Sequence, residues 1–195
     1  MRPFGRWNMK HNYHAQFDNV LIRPLRRSDI EYLRIWRNDK SKTKYLRPIP
    51  YITPEMQAQW FEAVQQDLDE LVFAVEETEN LKRLVGSVAL YHFQGKTAEV
   101  GKIQIGDSEA SGKGIGRIAM SLAVWLGIAQ LGLHTLQAYV HRENVAAYTS
   151  YMRMGFQVVG SRECSFGGAE DALEIHAAEL QRTGVLSGKV LLKVL

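Results

Sequence analysis

Apolar residues follow two different periods in the first third of the chain. Val20 to Arg26 alternates apolar and polar side chains, as a half-buried strand does. The next segment, IEYLRIWRND, places Ile30, Leu33 and Trp36 on one helical stripe, behind the capping pair Ser28-Asp29. The two patterns predict a strand that leads into a helix.

A second helix and three consecutive strands are predicted next. Thr53 is followed by Pro54 in the first helical turn, which opens the helix EMQAQWFEAVQQD. The segments ELVFAVEE, RLVGSVALYHF and AEVGKIQIG have strand-like composition and alternation. The turn residues QGKT between the last two indicate a β-hairpin.

Helices and strands alternate after the hairpin. A glycine-rich loop precedes a helix from about Gly116 to Gln130, and then come a strand TLQAYVH and a helix NVAAYTSYMRM that ends at Gly155. The segments FQVVGSREC and LEIHAAEL predict two more strands. Consecutive strands followed by a βαβ unit predict an α/β sheet that is mixed rather than wholly parallel.

Composition describes one ordinary globular domain. The 195 residues are 46% apolar and 23% charged, with a net charge of +3 that permits an anionic ligand without demanding nucleic acid. The single cysteine, Cys164, cannot form an internal disulfide and fits a reducing compartment. No apolar run reaches the ~18 residues of a membrane span, and the N-terminus lacks a secretory signal. We therefore expect a cytoplasmic protein without nucleic-acid or membrane partners.

Both ends of the chain lie outside the clear patterns. Residues 1–16 are basic and aromatic without a period, which fits an N-terminal arm or a tag remnant, and 17–195 then form a single domain. The C-terminal QRTGVLSGKVLLKVL ends in a strand-like or amphipathic run. It fits pairing with a second copy in a homodimer, or a packed tail.

The histidines show no metal-ligand spacing, so no metal is expected.

The loop before the third helix carries the clearest chemical signal. Gly112, Gly114 and Gly116 fall within SGKGIGR, where bare backbone amides at a helix N-terminus suit an anion. A dinucleotide fingerprint fails because Arg117 stands where its third glycine belongs. A P-loop fails because Lys113 is followed by glycine rather than Ser or Thr. A flexible turn without a ligand is the alternative.

The segment SGKGIGRIAM resembles the coenzyme-A loop of the GNAT superfamily of N-acetyltransferases, Q/R-x-x-G-x-G/A. Gly114 and Gly116 match its glycines, and Lys113 and Arg117 stand where basic residues are common. Ser111 departs from the usual Gln or Arg, which leaves the backbone cradle intact.

A second segment, NVAAYTSYMRMGF, resembles the family signature N-x-x-A-x-x-x-Y-x-x-x-G-F. Asn144, Ala147, Tyr151, Gly155 and Phe156 all match it. Asn144 and Tyr151 stand about two helical turns apart and so share a face. The resemblance covers roughly Val20 to Leu180. It implies a mostly antiparallel central sheet of about seven strands, with helices on both faces and a V-shaped splay between two central strands.

The resemblance implies acetyl-CoA as cofactor and a direct transfer to an amine, without a covalent acyl-enzyme. The cofactor residues that it implies lie on the strand before the glycine loop, in the loop, and on the following helix: Ile103, Gln104, Ile105, Ser111, Gly112, Lys113, Gly114, Ile115, Gly116, Arg117, Asn144, Ala147 and Tyr148. Tyr151 is the expected general acid, since a phenol stays protonated at neutral pH. Glu99 is the expected general base, with His141 as the competing candidate.

The acceptor amine is less clearly indicated. The segment LRIWRNDKSKTKYL resembles the W-R-N segment of bacterial enzymes that acetylate nucleotide-linked amino sugars, and of the wider group acting on ribosomal-protein N-termini. Trp36, Arg37, Asn38 and His141 are therefore expected at the substrate, although Trp36 also fits the core. Polyamines and antibiotics are further possible acceptors. A non-catalytic acyl-CoA sensor is the alternative from another functional class.

Overall fold

A computed structural model describes residues 11–178, which form one eight-stranded sheet flanked by four α-helices. The strand order across the sheet is β1-β2-β3-β4-β5-β6-β8-β7. The strands are β1 (Ala15–Phe17), β2 (Val20–Pro24), β3 (Glu70–Glu77), β4 (Arg83–Gln94), β5 (Thr97–Ile105), β6 (Thr135–His141), β7 (Gln157–Glu163) and β8 (Ala169–His176). The helices are α1 (Ile30–Asn38), α2 (Pro54–Val64), α3 (Ile115–Ala129) and α4 (Val145–Met154).

The predicted mixed, mostly antiparallel sheet is confirmed. Every neighbouring pair of strands in it is antiparallel except β5 and β6, which are parallel and joined through α3. The additional strand beyond the expected seven is β1, which pairs with β2. Ala15 on β1 is completely buried, so the described part of the predicted N-terminal arm packs as part of the domain. The predicted C-terminal run from Gln181 to Leu195 lies outside the described residues.

The two faces of the sheet carry separate cores. Helices α3 and α4 cover one face, where Leu122, Leu126 and Met154 are among the fully buried side chains. Helices α1 and α2 cover the other face through a smaller cluster that includes Leu33 and Phe61. This second cluster covers β3 and β4.

The helix starts follow local chemistry with one difference from expectation. The Thr53 hydroxyl caps α2 by accepting a hydrogen bond from the Met56 N–H, with Pro54 in the first turn, as predicted. Asp29 does not cap α1. Its carboxylate instead accepts from the Arg26 N–H and from the buried Arg23 guanidinium, because an unpaired cation at that depth would be costly.

No helix within residues 11–178 has the length and apolar character needed to cross a bilayer. Over the same range, no group of three or more His, Cys, Asp or Glu side chains is arranged to hold a metal ion.

Glu77 closes the turn between β3 and β4. Its buried carboxylate accepts hydrogen bonds from the Leu81, Asn80 and Glu79 N–H groups and from the Asn19 side chain. These donors, led by the Leu81 amide, lower the pKa of Glu77 from 4.5 to about 2. The carboxylate form is therefore the one that the fold stabilises.

We expect the stabilisation from Glu77 to be present above pH 4.5 and lost as the pH falls from 4.5 towards 2, because its pKa is lowered in the folded state. Glu77→Gln should lower the melting temperature at pH 7. The difference in melting temperature between the parent protein and Glu77→Gln should be smaller at pH 3. Thermal unfolding at both pH values measures this difference. An equal difference at pH 7 and pH 3 would contradict a stabilising role of the ionised Glu77 carboxylate.

Candidate active site

Strands β5 and β6 pair only at their N-terminal ends. The parallel register joins Thr97–Glu99 to Thr135–Gln137 and then stops. Beyond Glu99, β5 keeps its pairing with β4, and β6 keeps its pairing with β8. A V-shaped gap therefore opens between the two strands with Glu99 at its vertex. The strand edges that face this gap present backbone groups with no ladder partner.

Tyr151 reaches the vertex from α4. Its side chain is buried, and its hydroxyl donates a hydrogen bond to the Val100 carbonyl, with an O···O distance of 3.4 Å. The ring packs edge-on against Phe156, with centroids 5.0 Å apart. Burial raises the pKa of the Tyr151 phenol well above its usual value of 10. The phenol is thus a neutral hydrogen-bond donor at physiological pH.

The glycine loop leads directly into the N-terminus of α3. Gly112 and Gly114 both have positive φ, at 75° and 77°, and open space surrounds the position of a Cβ on either residue. Gly114 is the N-cap of α3, and no side chain caps the helix or places a negative charge in its first turn. The first-turn amides of α3 are therefore free to bind an anion.

Basic side chains border this loop without being committed elsewhere. Lys113 and Arg117 are exposed, and neither forms an ion pair within the described range of 11–178. Ser111 is exposed as well, and Ile115 is buried beneath the loop. Gly116 packs on β5, where a Cβ would lie 3.3 Å from an Ile105 side-chain atom. Bare amides, two free cations and a tight approach to β5 together suit a pyrophosphate.

The N-terminus of α4 lies on the same side of the sheet as α3. Asn144 is its N-cap, with its side-chain oxygen accepting from the Ala147 N–H at 3.2 Å. Ala147 and Tyr148 are half-buried against the larger core. The Asn144 side chain therefore has a hydrogen-bond partner within the first turn of α4.

Strand β5 is irregular next to the gap. The register between β4 and β5 shifts between Ser87 and Ala89, and Lys102 adopts a positive φ of 50°. Gln104 turns its side chain to the α1 face, where its amide donates to the Trp36 carbonyl at 2.9 Å. Ile103 and Ile105 are half-buried against the α3 side. Successive residues of β5 therefore face opposite sides of the sheet here: Ile103 and Ile105 face α3, and Gln104 faces α1.

Glu99 lies at the vertex on the side opposite Tyr151. One carboxylate oxygen is 2.9 Å from Nδ1 of His92, and the same carboxylate interacts with the Tyr91 phenol. Burial, and next the negative charge of Glu99, raise the pKa of Tyr91 above its usual range. Tyr91 also contacts Gly101 closely, since a Cβ there would lie 2.7 Å from its hydroxyl oxygen. The carboxylate is therefore held by two neighbours on β4.

A band of carboxylates continues from Glu99 in both directions across this face. On β3, Glu70 pairs with Lys102 at 2.7 Å, and the Lys102 ammonium lies 4.5 Å from the centre of the Tyr91 ring. On β8, Glu174 accepts from the Gln137 amide at 2.7 Å, and Gln137 is the register partner of Glu99. The carboxylates thus follow one line across the sheet.

The far end of this band involves the edge strand β7. Arg162 pairs with Glu170 at 2.5 Å and lies 3.8 Å above the Tyr139 ring. We call Glu70, Glu99, Glu170 and Glu174 the acidic face. Its four carboxylates meet two permanent cations, Lys102 and Arg162, which leaves an excess of negative charge.

The W-R-N residues shape the segment between α1 and α2. Trp36 is buried against Gly106, where any Cβ would lie within 1.9 Å of the indole. Asn38 both donates to and accepts from the Ile52 backbone at 2.9 Å, and Arg37 donates to the Arg47 carbonyl at 2.6 Å. All three residues therefore support the loop between α1 and α2, and the structure gives each an internal partner.

His141 lies at the end of β6, between two aromatic rings. The ring centres of Tyr45 and Phe166 are 5.4 and 6.2 Å from that of His141. Nδ1 accepts from the Glu143 N–H at 3.3 Å, so Nε2 is left to donate to the Gly167 carbonyl at 3.0 Å. Both ring nitrogens of His141 thus have hydrogen-bond partners. Glu99, in contrast, lies at the vertex of the β5–β6 gap.

Several residues of this site were not expected from the sequence. Tyr91 and His92 precede the turn of the predicted hairpin, and counting outward from that turn would have placed His92 opposite Glu99. In the structure, the register shift makes Tyr91 the partner of Glu99. Gln137, Glu170 and Glu174 gave no such signal. Gln137 joins the site through the parallel register of β5 and β6, and the two glutamates join it because β8 inserts between β6 and β7.

Comparison with known proteins agrees with the fold. Residues 19–157 match the family model for the acetyltransferase (GNAT) domain. The chain is 31% identical to spermidine N(1)-acetyltransferase of Escherichia coli (strain K12) over 143 residues, which cover 73% of this chain and 75% of the relative. It is 25% identical to acetyltransferase PseH of Campylobacter jejuni over 134 residues, or 69% and 80% of the two chains.

Solved structures show the same fold. The structure of spermidine N-acetyltransferase from Vibrio cholerae in complex with CoA and spermine superposes with a TM-score of 0.75, at 24% identity, over 84% of this chain and 98% of that one. A GNAT-family acetyltransferase from Bacillus anthracis superposes with a TM-score of 0.72, at 20% identity, over 85% and 99%. By its family match, its relatives and its fold, the chain belongs to the GNAT acetyltransferases, which are acyltransferases that use acetyl-CoA.

Proposed function

We propose that this enzyme transfers the acetyl group of acetyl-CoA to a primary amine of a small polycation of the polyamine class. The observation that carries the proposal is the acidic face, which begins at the vertex of the β5–β6 gap. A cationic chain with one amine at Glu99 can place a second amine near Glu174, two strands away or about 10 Å at ordinary strand spacing. The spermidine N(1)-acetyltransferase relative supports the same acceptor class.

The cofactor residues fit a pyrophosphate and an extended pantetheine arm. The amides of Gly112 to Arg117 would bind the diphosphate, with Lys113 and Arg117 adding charge. The unpaired edge of β5, including Ile103 and Ile105, would pair with the arm in the manner of an added strand. When bound, acetyl-CoA supplies an acyl carbon with a thiolate leaving group.

Tyr151 and Glu99 divide the proton chemistry between them. Glu99 accepts a proton from the incoming ammonium and so produces the neutral, nucleophilic amine. A backbone N–H of the Lys102–Ile105 stretch stabilises the developing oxyanion. The buried Tyr151 phenol would protonate the departing sulfur, and the second proton lost by the attacking nitrogen would restore the phenol. His141 is less suited to the role of base because both of its ring nitrogens are engaged.

A nucleotide-linked amino sugar is the second candidate acceptor. The segment between α1 and α2 carries the cations Lys40, Lys42, Lys44 and Arg47 close to Arg37, and such a group suits phosphate. Two of these cations already have internal partners, since Arg37 donates to the Arg47 carbonyl and Lys42 to the Gly106 carbonyl. This reduces the charge available to a phosphate. A ribosomal-protein N-terminus would also fit the amine chemistry.

The acceptor is identified by an assay of thiol release from acetyl-CoA, with mass spectrometry of the products. The panel contains spermidine, a monoamine, a nucleotide-linked amino sugar and N-terminal peptides. We expect the highest kcat/KM for spermidine. Preference for the amino sugar or a peptide would support those acceptors instead, and coenzyme-A binding without amine-dependent thiol release would indicate a sensor.

Glu174→Gln provides the matched variant for this panel. It keeps the shape of the side chain near Gln137 and removes one charge from the acidic face. We expect KM for spermidine to rise about three- to five-fold, with kcat kept, as for a partly exposed ion pair. KM for the monoamine should not change. Equal effects on both amines would contradict a subsite for a second cation.

Gly114→Ala tests the cofactor loop. A side chain at a φ of 77° costs about 1 kcal/mol in strain, and it places a methyl group into the open space of the loop. We expect coenzyme-A affinity, measured by calorimetry, to fall about ten-fold. Gly132→Ala is the control, because Gly132 has a φ of 68° and equally open surroundings in the α3–β6 turn. If the control weakens binding equally, strain alone explains the effect.

Tyr151→Phe tests the general acid. The phenylalanine keeps the edge-on packing with Phe156 and removes only the hydroxyl. We expect kcat to fall about 10- to 1000-fold, with acetyl-CoA affinity nearly unchanged. Steady-state kinetics together with calorimetry separate the two quantities. Unchanged turnover would remove Tyr151 from the mechanism.

A further inference from the structure

His92 is held in an unusual backbone conformation beside Glu99. The register between β4 and β5 shifts between Tyr91 and Gln94, and His92 lies in that irregularity with a φ of 53°. Its N–H donates to the Asp69 carbonyl at 3.0 Å, and the next N–H, that of Phe93, donates to the Asp69 carboxylate at 2.6 Å. A non-glycine residue in the left-handed region is strained, so the surrounding structure must hold it there.

This conformation places the imidazole on the side of Glu99 that faces the β4–β5 hairpin. The β5–β6 gap opens from Glu99 towards the C-terminal ends of both strands, whereas His92 lies towards the β4–β5 hairpin. The Glu99 side chain is only 18% exposed, and the His92 side chain is 60% exposed. The Glu99 carboxylate therefore lies between the gap and the more exposed imidazole.

The other neighbours of Glu99 cannot accept its proton at neutral pH. Tyr91 is a protonated phenol whose pKa is raised by burial. Lys102 and Arg162 are hydrogen-bond donors without an acceptor atom, and they are paired with Glu70 and Glu170. Of the described side chains that contact Glu99, His92 alone has one ring nitrogen that can take up a proton and a second that can release one.

We propose that His92 positions the Glu99 carboxylate and carries its proton to solvent in each catalytic cycle, a role that rests on the proposed amine acetylation. Glu99 takes one proton from the substrate ammonium. At rest, the Nδ1–H of His92 donates to the Glu99 carboxylate. Once Glu99 is protonated, exchange with water moves the imidazole proton from Nδ1 to Nε2, and Nδ1 accepts the proton of the Glu99 carboxyl. The imidazolium then releases a proton from Nε2 to water, which restores the resting pair. One proton leaves for each amine deprotonated, and no oxidant or second substrate is needed.

Two substitutions at the same position separate proton transfer from structure. His92→Asn keeps a side chain that tolerates a positive φ and can hydrogen-bond to Glu99, but this side chain does not titrate. His92→Gly relieves the backbone and leaves space for a small base. Both variants are assayed as the full chain with acetyl-CoA and the best amine of the panel. Thermal unfolding confirms that they are folded.

We expect kcat to fall about ten-fold in both variants, with the KM of either substrate changed less than two-fold. Added imidazole at millimolar concentration should raise kcat of His92→Gly several-fold in a concentration-dependent manner. It should not change the parent enzyme. The control His134→Asn removes an exposed histidine that contacts Lys96 and lies away from Glu99, and it should leave kcat unchanged.

Three results would overturn the inference. Parent-like kcat in His92→Asn would show that no proton passes through this residue. A fall in kcat that imidazole does not reverse in His92→Gly would show a purely structural role, and a rescue of Tyr151→Phe by imidazole would show a general buffer effect. A parent enzyme that releases no thiol with any amine would overturn the proposed function as well, whereas the first three results leave that function standing.

Discussion

The short parallel pairing between β5 and β6 determines what the rest of the molecule can do. Three residues on each strand form the ladder, and then the strands part. A longer ladder would satisfy the edge groups of both strands and leave no place for a ligand backbone. Because each strand keeps its outer neighbour, the sheet tolerates an opening at its centre. The fold thereby combines a rigid frame with an unpaired edge inside it.

The vertex of this opening brings together groups from opposite faces of the sheet. Tyr151 belongs to the face packed by α3 and α4, and Glu99 belongs to the face packed by α1 and α2. A deeply buried phenol and a partly exposed carboxylate are therefore separated by the thickness of a single strand. Burial keeps the phenol neutral, while access to water through the hairpin side suits the carboxylate to a proton-accepting role.

Local signals in the sequence were sufficient for most of the architecture. The helices, the β4–β5 hairpin and the glycine loop follow from apolar period, capping residues and turn chemistry, all of which act over a few residues. Motif spacing singled out Tyr151 and Gly114 as candidate site residues. The bulges at His92 and Lys102 could not be predicted, because a positive φ at a non-glycine residue is imposed by tertiary packing. Nor could Glu174 be placed, since β8 pairs with β6, which is not its neighbour in the sequence, as well as with β7.

The contact between Trp36 and Gly106 joins the two halves of the enzyme. With no room for even one methyl group between the indole and that backbone, the end of α1 is fixed to the end of the strand that leads into the glycine loop. Sequence changes in the loop beyond this contact, residues 39–53, can therefore alter the surface there while the end of β5 keeps its position. One aromatic ring thus separates a stretch of chain that is free to vary from one that is not.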